Sequence, residues 1–187
     1  MRTTRHFHHD LALLILAAMV FALPSCSSGG HFSILGYTTK PNYDDSIHTV
    51  YLPIFQNKAF QAGPLRGLEN ELTEEVQRQI EMKTPYKVTH RREEADTELI
   101  GTIVATPKNI LNRNQLNEVR EGEMVMRVEI VWTNLRTGEL LSAPPPRNTL
   151  QASGRFLPEL GESTSTALQM ACQRMAVQIV SLMEKPW

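Results

Sequence analysis

Residues 123–134 read EMVMRVEIVWTN. Met124, Met126, Val128, Ile130 and Trp132 alternate with Glu123, Val125, Arg127, Glu129 and Thr133. Strand side chains point to opposite faces with a period of two, so this is a strand with one apolar and one mixed face. The apolar face has to be covered, and the chain holds two candidates. Upstream, Leu65, Leu68, Leu72, Val76 and Ile80 recur every three or four residues and form one stripe of a helix. Gly63-Pro64 opens that helix and Thr84-Pro85 ends it. Glu74 and Arg78 are expected to pair on another of its faces. Downstream, Leu168, Cys172, Met175, Ile179 and Leu182 form a second stripe, behind N-cap candidates Ser163, Thr164, Ser165 and Thr166. Cys172 sits in that stripe and reads as a buried thiol.

Further strands complete the pattern. Residues 49–55 (TVYLPIF) alternate Val50, Leu52 and Ile54 against Tyr51, Pro53 and Phe55. Pro53 removes a ladder donor and marks an edge or a bulge. A short strand is expected at 86–89 and a longer one at 97–106, with Leu99, Ile103 and Ala105 opposite Ile100, Thr102 and Val104. Residues 109–122 are polar and Asn-rich and are expected to contain a loop. Arg136-Thr137-Gly138 turns the 123–134 strand into a strand at 139–141. Pro144-Pro145-Pro146 forms a stiff loop, and 150–157 is the last strand. Two helices with one greasy stripe each, set among these strands, predict an α+β two-layer sandwich. Both amphipathic helices pack on one face of a mainly antiparallel or mixed sheet of four or more strands.

The amino-terminal stretch has a different character. Arg2 and Arg5 precede thirteen apolar residues at 11–23 (LALLILAAMVFAL). Spanning a bilayer takes about 20, so the run reads as a secretory signal. Leu23-Pro24-Ser25-Cys26 then resembles a bacterial lipobox. That resemblance implies diacylglyceryl transfer to the Cys26 sulfur, cleavage before Cys26 and an N-acyl chain on the new terminus. Ser27, in place of Asp, favours the outer membrane by the same analogy. The expected organisation is a lipoprotein signal peptide at 1–25, a flexible lipid-proximal tether at 26–46 and a single α+β domain at 47–187. His6, His8 and His9 fall in the discarded segment and meet no folded ligand set.

The composition narrows the chemistry. A net charge of −1 excludes a generic strongly basic nucleic-acid binder, and two cysteines cannot build a disulfide scaffold. No catalytic or metal-binding motif occurs. His31, His48 and His90 are scattered, and the carboxylate pairs Asp44-Asp45 and Glu93-Glu94 lie in solvated, loop-like stretches. No catalytic residue, metal ligand or cofactor is therefore expected beyond the covalent lipid at Cys26. Lys108, Arg113, Arg120 and Arg127 are candidate contacts for the phosphates of a glycolipid, since Arg and Lys pair with phosphate. Glu118, Glu121, Glu123 and Glu129 are interleaved with them and dilute their field, which leaves plain solvated charges as the competing reading.

Taken in order, several segments resemble the LptE family, the lipopolysaccharide-assembly lipoproteins of the outer membrane. They are the lipobox at Cys26, Gly36-Tyr37, TVYLPIFQN at 49–57, LENELTEEVQRQI at 68–80, Ala95-Asp96-Thr97-Glu98-Leu99-Ile100-Gly101-Thr102-Ile103, NLRTGE at 134–139 and the closing amphipathic helix. The resemblance implies a non-enzymatic subunit that helps assemble and plugs an LptD-like outer-membrane β-barrel, binds lipopolysaccharide and takes part in its transport and insertion. The alternative is a free-standing envelope lipoprotein acting as a binding or structural module.

Overall fold

The computed structural model describes residues 33–34, 37–38, 42–59, 67–144 and 147–184. The chain divides into two compact units, Met1–Pro41 and Asn42–Trp187. In the first, β1 (Ser33–Ile34) pairs antiparallel with β2 (Tyr37–Thr38). The expected signal peptide, Cys26, Gly63, Pro64 and Leu65 lie outside the described residues.

The second unit contains β3 (Thr49–Tyr51), β4 (Gln56–Asn57), α1 (Leu68–Lys83), β5 (Lys87–Thr89), β6 (Thr97–Ala105), β7 (Lys108–Arg113), β8 (Val119–Asn134), β9 (Thr149–Phe156) and α2 (Thr164–Ser181). The seven strands form one mixed sheet. β3 runs parallel to β5 and β6, while β6, β7 and β9 are antiparallel to β8. Register shows how seven strands share fewer places. Gly122 lies between Ile110 of β7 and Phe156 of β9, and Arg127 between Ala105 of β6 and Gln151 of β9. β7 therefore prolongs the line of β6 on one side of β8, with β9 on the other. β4 likewise prolongs β3 along β6.

Alternation in β8 holds as read: Met124, Met126, Val128, Ile130 and Trp132 are all buried. They meet Leu72, Val76 and Ile80 of α1 and Leu168, Cys172, Met175 and Ile179 of α2 in a single core. Ser163 caps α2, its Oγ accepting from the Thr166 N–H at 3.3 Å. Thr84 leaves α1 in an extended conformation, with its N–H still bonded to the Ile80 carbonyl. Cys172 is buried as expected, and burial first, then Glu71, pushes its thiol up to about 12.

Several expectations need correcting. The 49–55 strand does not keep its parity. Val50, Leu52 and Phe55 face the core, while Ile54 is 65% exposed. Between the pairs Tyr51↔Glu98 and Gln56↔Thr102 the β3/β4 line spends one residue more than β6. Pro53 has no N–H to give, so the ladder lapses there and restarts on the other parity. The Phe55 ring then fills the space a side chain at Gly101 would need, 2.3 Å from a Cβ placed there. Arg78 pairs with Glu75, not Glu74; Glu75 is the buried carboxylate of the two and gains more from a partner. Leu182 falls past the end of α2, and Met183 takes its place in the core.

The loop expected within 109–122 is the turn at 114–118, and the residues on either side of it are hairpin arms: β7 pairs with the start of β8 through register shifts after Ile110 and Asn112. Residues 139–141 form only an isolated bridge, Thr133↔Leu140. There the Ser142 hydroxyl accepts the Trp132 N–H at 3.2 Å and the chain turns away before the prolines. The end of the expected tether belongs to the body: Tyr43 packs edge-on against Tyr86, and the Asp44 N–H donates to the Tyr86 hydroxyl at 2.9 Å.

Candidate functional site

The β7–β8 hairpin reaches past the end of β9, whose last residue, Phe156, lies opposite Gly122. Its turn is built by Asn114, whose side-chain oxygen accepts from the Leu116 and Glu118 N–H groups at 3.0 and 2.9 Å. Asn117 takes φ 65°, which asparagine tolerates better than most residues. These bonds consume the polar groups of the turn and push Leu116 outward, where it is 80% exposed. Ile110 and Leu111 on β7 are also exposed, as are Leu157 and Leu160 in the turn that follows β9. One end of the body thus carries apolar side chains that are exposed among the described residues.

The four candidate cations divide around this end. Lys108 places its Nζ 5.2 Å from the centroid of the Phe156 ring, and that ring covers Gly122. Arg120 bonds Glu159 Oε1 through Nε at 2.7 Å and so ties the hairpin to the 3₁₀ turn Pro158–Leu160. Arg113 stands at the root of the hairpin turn, and its guanidinium donates to the Asn117 carbonyl at 2.8 Å. A carbonyl is neutral, so the charge of Arg113 is not cancelled by that bond. Arg127 is set apart. It lies on the other face of the sheet from Met126 and Val128, bonded to Gln151 Oε1 at 3.1 Å. Lys108, Arg113 and Arg120 thus belong to one end, and Arg127 does not join them.

A carboxylate that motif reasoning passed over organises the opposite end. Asp96 immediately precedes β6 and is buried. Its Oδ2 accepts from the His48 N–H at 2.8 Å, the Thr49 N–H at 3.0 Å and the Thr49 hydroxyl at 3.1 Å, while Oδ1 meets the Arg136 guanidinium. The Leu135 N–H donates to the Asp96 carbonyl at 2.9 Å. One residue thereby joins the starts of β3 and β6 to the end of β8. Burial opposes ionisation of Asp96, but the bonds from His48 and Thr49, with the Arg136 charge, outweigh it and hold its carboxyl below the usual value of 3.8. Beside it opens a cavity of about 460 Å³ lined by residues 92–96, Leu135 and Arg136. Arg92 holds Glu98 with two bonds, at 2.9 and 3.0 Å. The cations here already hold carboxylates, so this cluster is a brace for the sheet. Glu93 and Glu94 lie exposed in its 3₁₀ turn. His48 is 77% exposed, with Nδ1 4.0 Å from Asp96. Among the described residues no three His, Cys, Asp or Glu side chains gather as metal ligands, and no helix is long and apolar enough to cross a membrane.

Fold and site together define the class: a two-layer α+β module that presents leucines and cations on a hairpin at one end. The LptE family, described as lipopolysaccharide-assembly, matches residues 47–183. The chain belongs to that family. No individually curated protein matches it in sequence. Among solved structures, the hypothetical protein CT253 of Chlamydia trachomatis superposes with a TM-score of 0.52 at 12% identity, covering 72% of this chain and 94% of that one. It supports the fold alone. Rare lipoprotein B of Shewanella oneidensis gives 0.48 at 15% identity, over 73% and 93%. Lipoprotein B of Nitrosomonas europaea gives 0.45 at 19%, over 72% and 80%.

Proposed function

We propose that this chain is a non-enzymatic lipoprotein of the outer membrane that takes part in lipopolysaccharide assembly, seated in and helping to assemble an LptD-like β-barrel. The family match over residues 47–183 carries this reading. The hairpin end fits it chemically. A glycolipid with phosphates and acyl chains needs cations and apolar contacts side by side, and Arg113 bonds Asn117 in the same turn that carries the exposed Leu116. The lipid on Cys26 supplies the membrane hold, each buried CH₂ contributing about 0.8 kcal/mol. The Asp96 brace and the continuous core make a body stiff enough to keep its shape inside a partner.

The test is recovery of the chain from detergent-solubilised outer membrane after crosslinking in intact cells. A large β-barrel protein is expected to co-purify in a stable complex. Mass spectrometry of the recovered chain is expected to find its amino terminus at Cys26 with acyl chains attached. Recovery of the monomer alone contradicts the barrel role and favours a free-standing envelope module. An unacylated terminus contradicts the anchor.

A further inference from the structure

We infer that Glu159 is a built-in competitor for phosphate at Arg120, so that the β7–β8 hairpin stays latched to the Pro158–Leu160 turn until a phosphorylated glycolipid takes the guanidinium. This rests on the glycolipid reading above and adds a regulatory contact to the same site.

The geometry sets up the exchange. Past Gly122 the first residues of β8 have β7 on one side and have outrun β9 on the other. Two ion pairs reach across from the β9 side. Arg155 meets Glu121 at 3.4 Å, and Arg120 meets Glu159 at 2.7 Å. The second is the shorter, and it alone of the two joins the hairpin to the turn leading into α2. Its side chains are 55% and 54% exposed, so a ligand has access to both partners. Exposed ion pairs of this kind are weak and exchange readily. The carboxylate holds Arg120 through Nε by one oxygen, whereas a phosphate offers the guanidinium fork two oxygens and more charge. Arg113, at the root of the hairpin turn and bonded there to a neutral carbonyl, adds a second guanidinium at this end, its field offset in part by Glu118, Glu121 and Glu123 of the same hairpin. When phosphate replaces Glu159, the link between hairpin and turn is released.

The test is a double-mutant cycle on the full chain purified in detergent, titrated with fluorescent lipopolysaccharide, intact or enzymatically dephosphorylated. Glu159→Gln is expected to tighten binding of the intact lipid by about two- to fivefold, to leave the dephosphorylated lipid unchanged, and to lose its effect when combined with Arg120→Gln. Two outcomes overturn the latch while leaving the glycolipid reading in place: no gain from Glu159→Gln, or the same gain in the Arg120→Gln background, which marks a general charge effect. If the unsubstituted chain binds both lipids equally, or binds inorganic phosphate with no preference for the lipid, the glycolipid reading fails and the latch falls with it.

Discussion

Gly154→Ala is expected to destabilise the Asn42–Trp187 unit by about 3 kcal/mol, at the upper end of what overpacking usually costs. A Cβ placed on Gly154 would sit 1.9 Å from the Ala167 carbonyl oxygen and 2.8 Å from its carbon. Those are backbone atoms in the first turns of α2, so no side chain can rotate away to make room. The helix must lift from β9, and Leu168, Cys172 and Met175 lift with it. A loss of this size lowers the melting temperature by about 10 °C in a domain of this length. Gly138→Ala is the control. Gly138 also needs its glycine, for a φ of 73°, but a Cβ there meets open space. It is expected to cost only about 1 kcal/mol, the penalty for left-handed backbone. Thermal unfolding of both variants checks the contrast. Equal losses would show that α2 does not bear on β9 as closely as described.

Asp96→Ala is expected to cost about 3 kcal/mol, because charge-assisted hydrogen bonds contribute about 1.5–3 kcal/mol each and two backbone donors lose their acceptor. The loss should carry a pH signature. The folded pKa of Asp96 is held below 3.8, the unfolded value. Its stabilising contribution is therefore complete above about 3.8 and is lost as the pH falls through the lower folded value. Denaturant unfolding between pH 7 and pH 2 should show the parent losing part of its margin over the substituted chain only at the acid end. A margin unchanged down to pH 2 would show that Asp96 is not the titrating brace. Arg136→Gln should cost much less, since the Arg136 side chain is 74% exposed and water replaces its partner.

These variants also mark where sequence reasoning succeeds. β8 is legible because one of its faces is buried along the stretch from Met124 to Trp132, and burial writes an alternation into the residues. β7 carries no such signal. It lies where both faces meet solvent, so all its residues are exposed, and a polar, Asn-rich strand reads the same as a loop. Ile54 and Phe55 exchange faces because one proline shifts the register, and periodicity assumes an unbroken ladder. The same limit applied to the site. Lys108, Arg113 and Arg120 are visible as cations in any reading, but only pairing decides which charges are spent. Glu159 lies 39 residues from Arg120 along the chain, and nothing local links them. Asp96 was visible as part of a family pattern; its role as an acceptor for residues 48–49 and 135–136 depends on contacts between segments far apart in sequence.

The claim that the hairpin end meets lipopolysaccharide is tested most directly by a photo-crosslinking side chain in living cells, placed in turn at position 116 on the hairpin and at position 82. Met82 is equally open, 71% exposed, but stands near the end of α1, at the other end of the sheet. Illumination is expected to yield a lipopolysaccharide adduct from position 116 and none from position 82. No adduct from 116, or equal adducts from both, would contradict it.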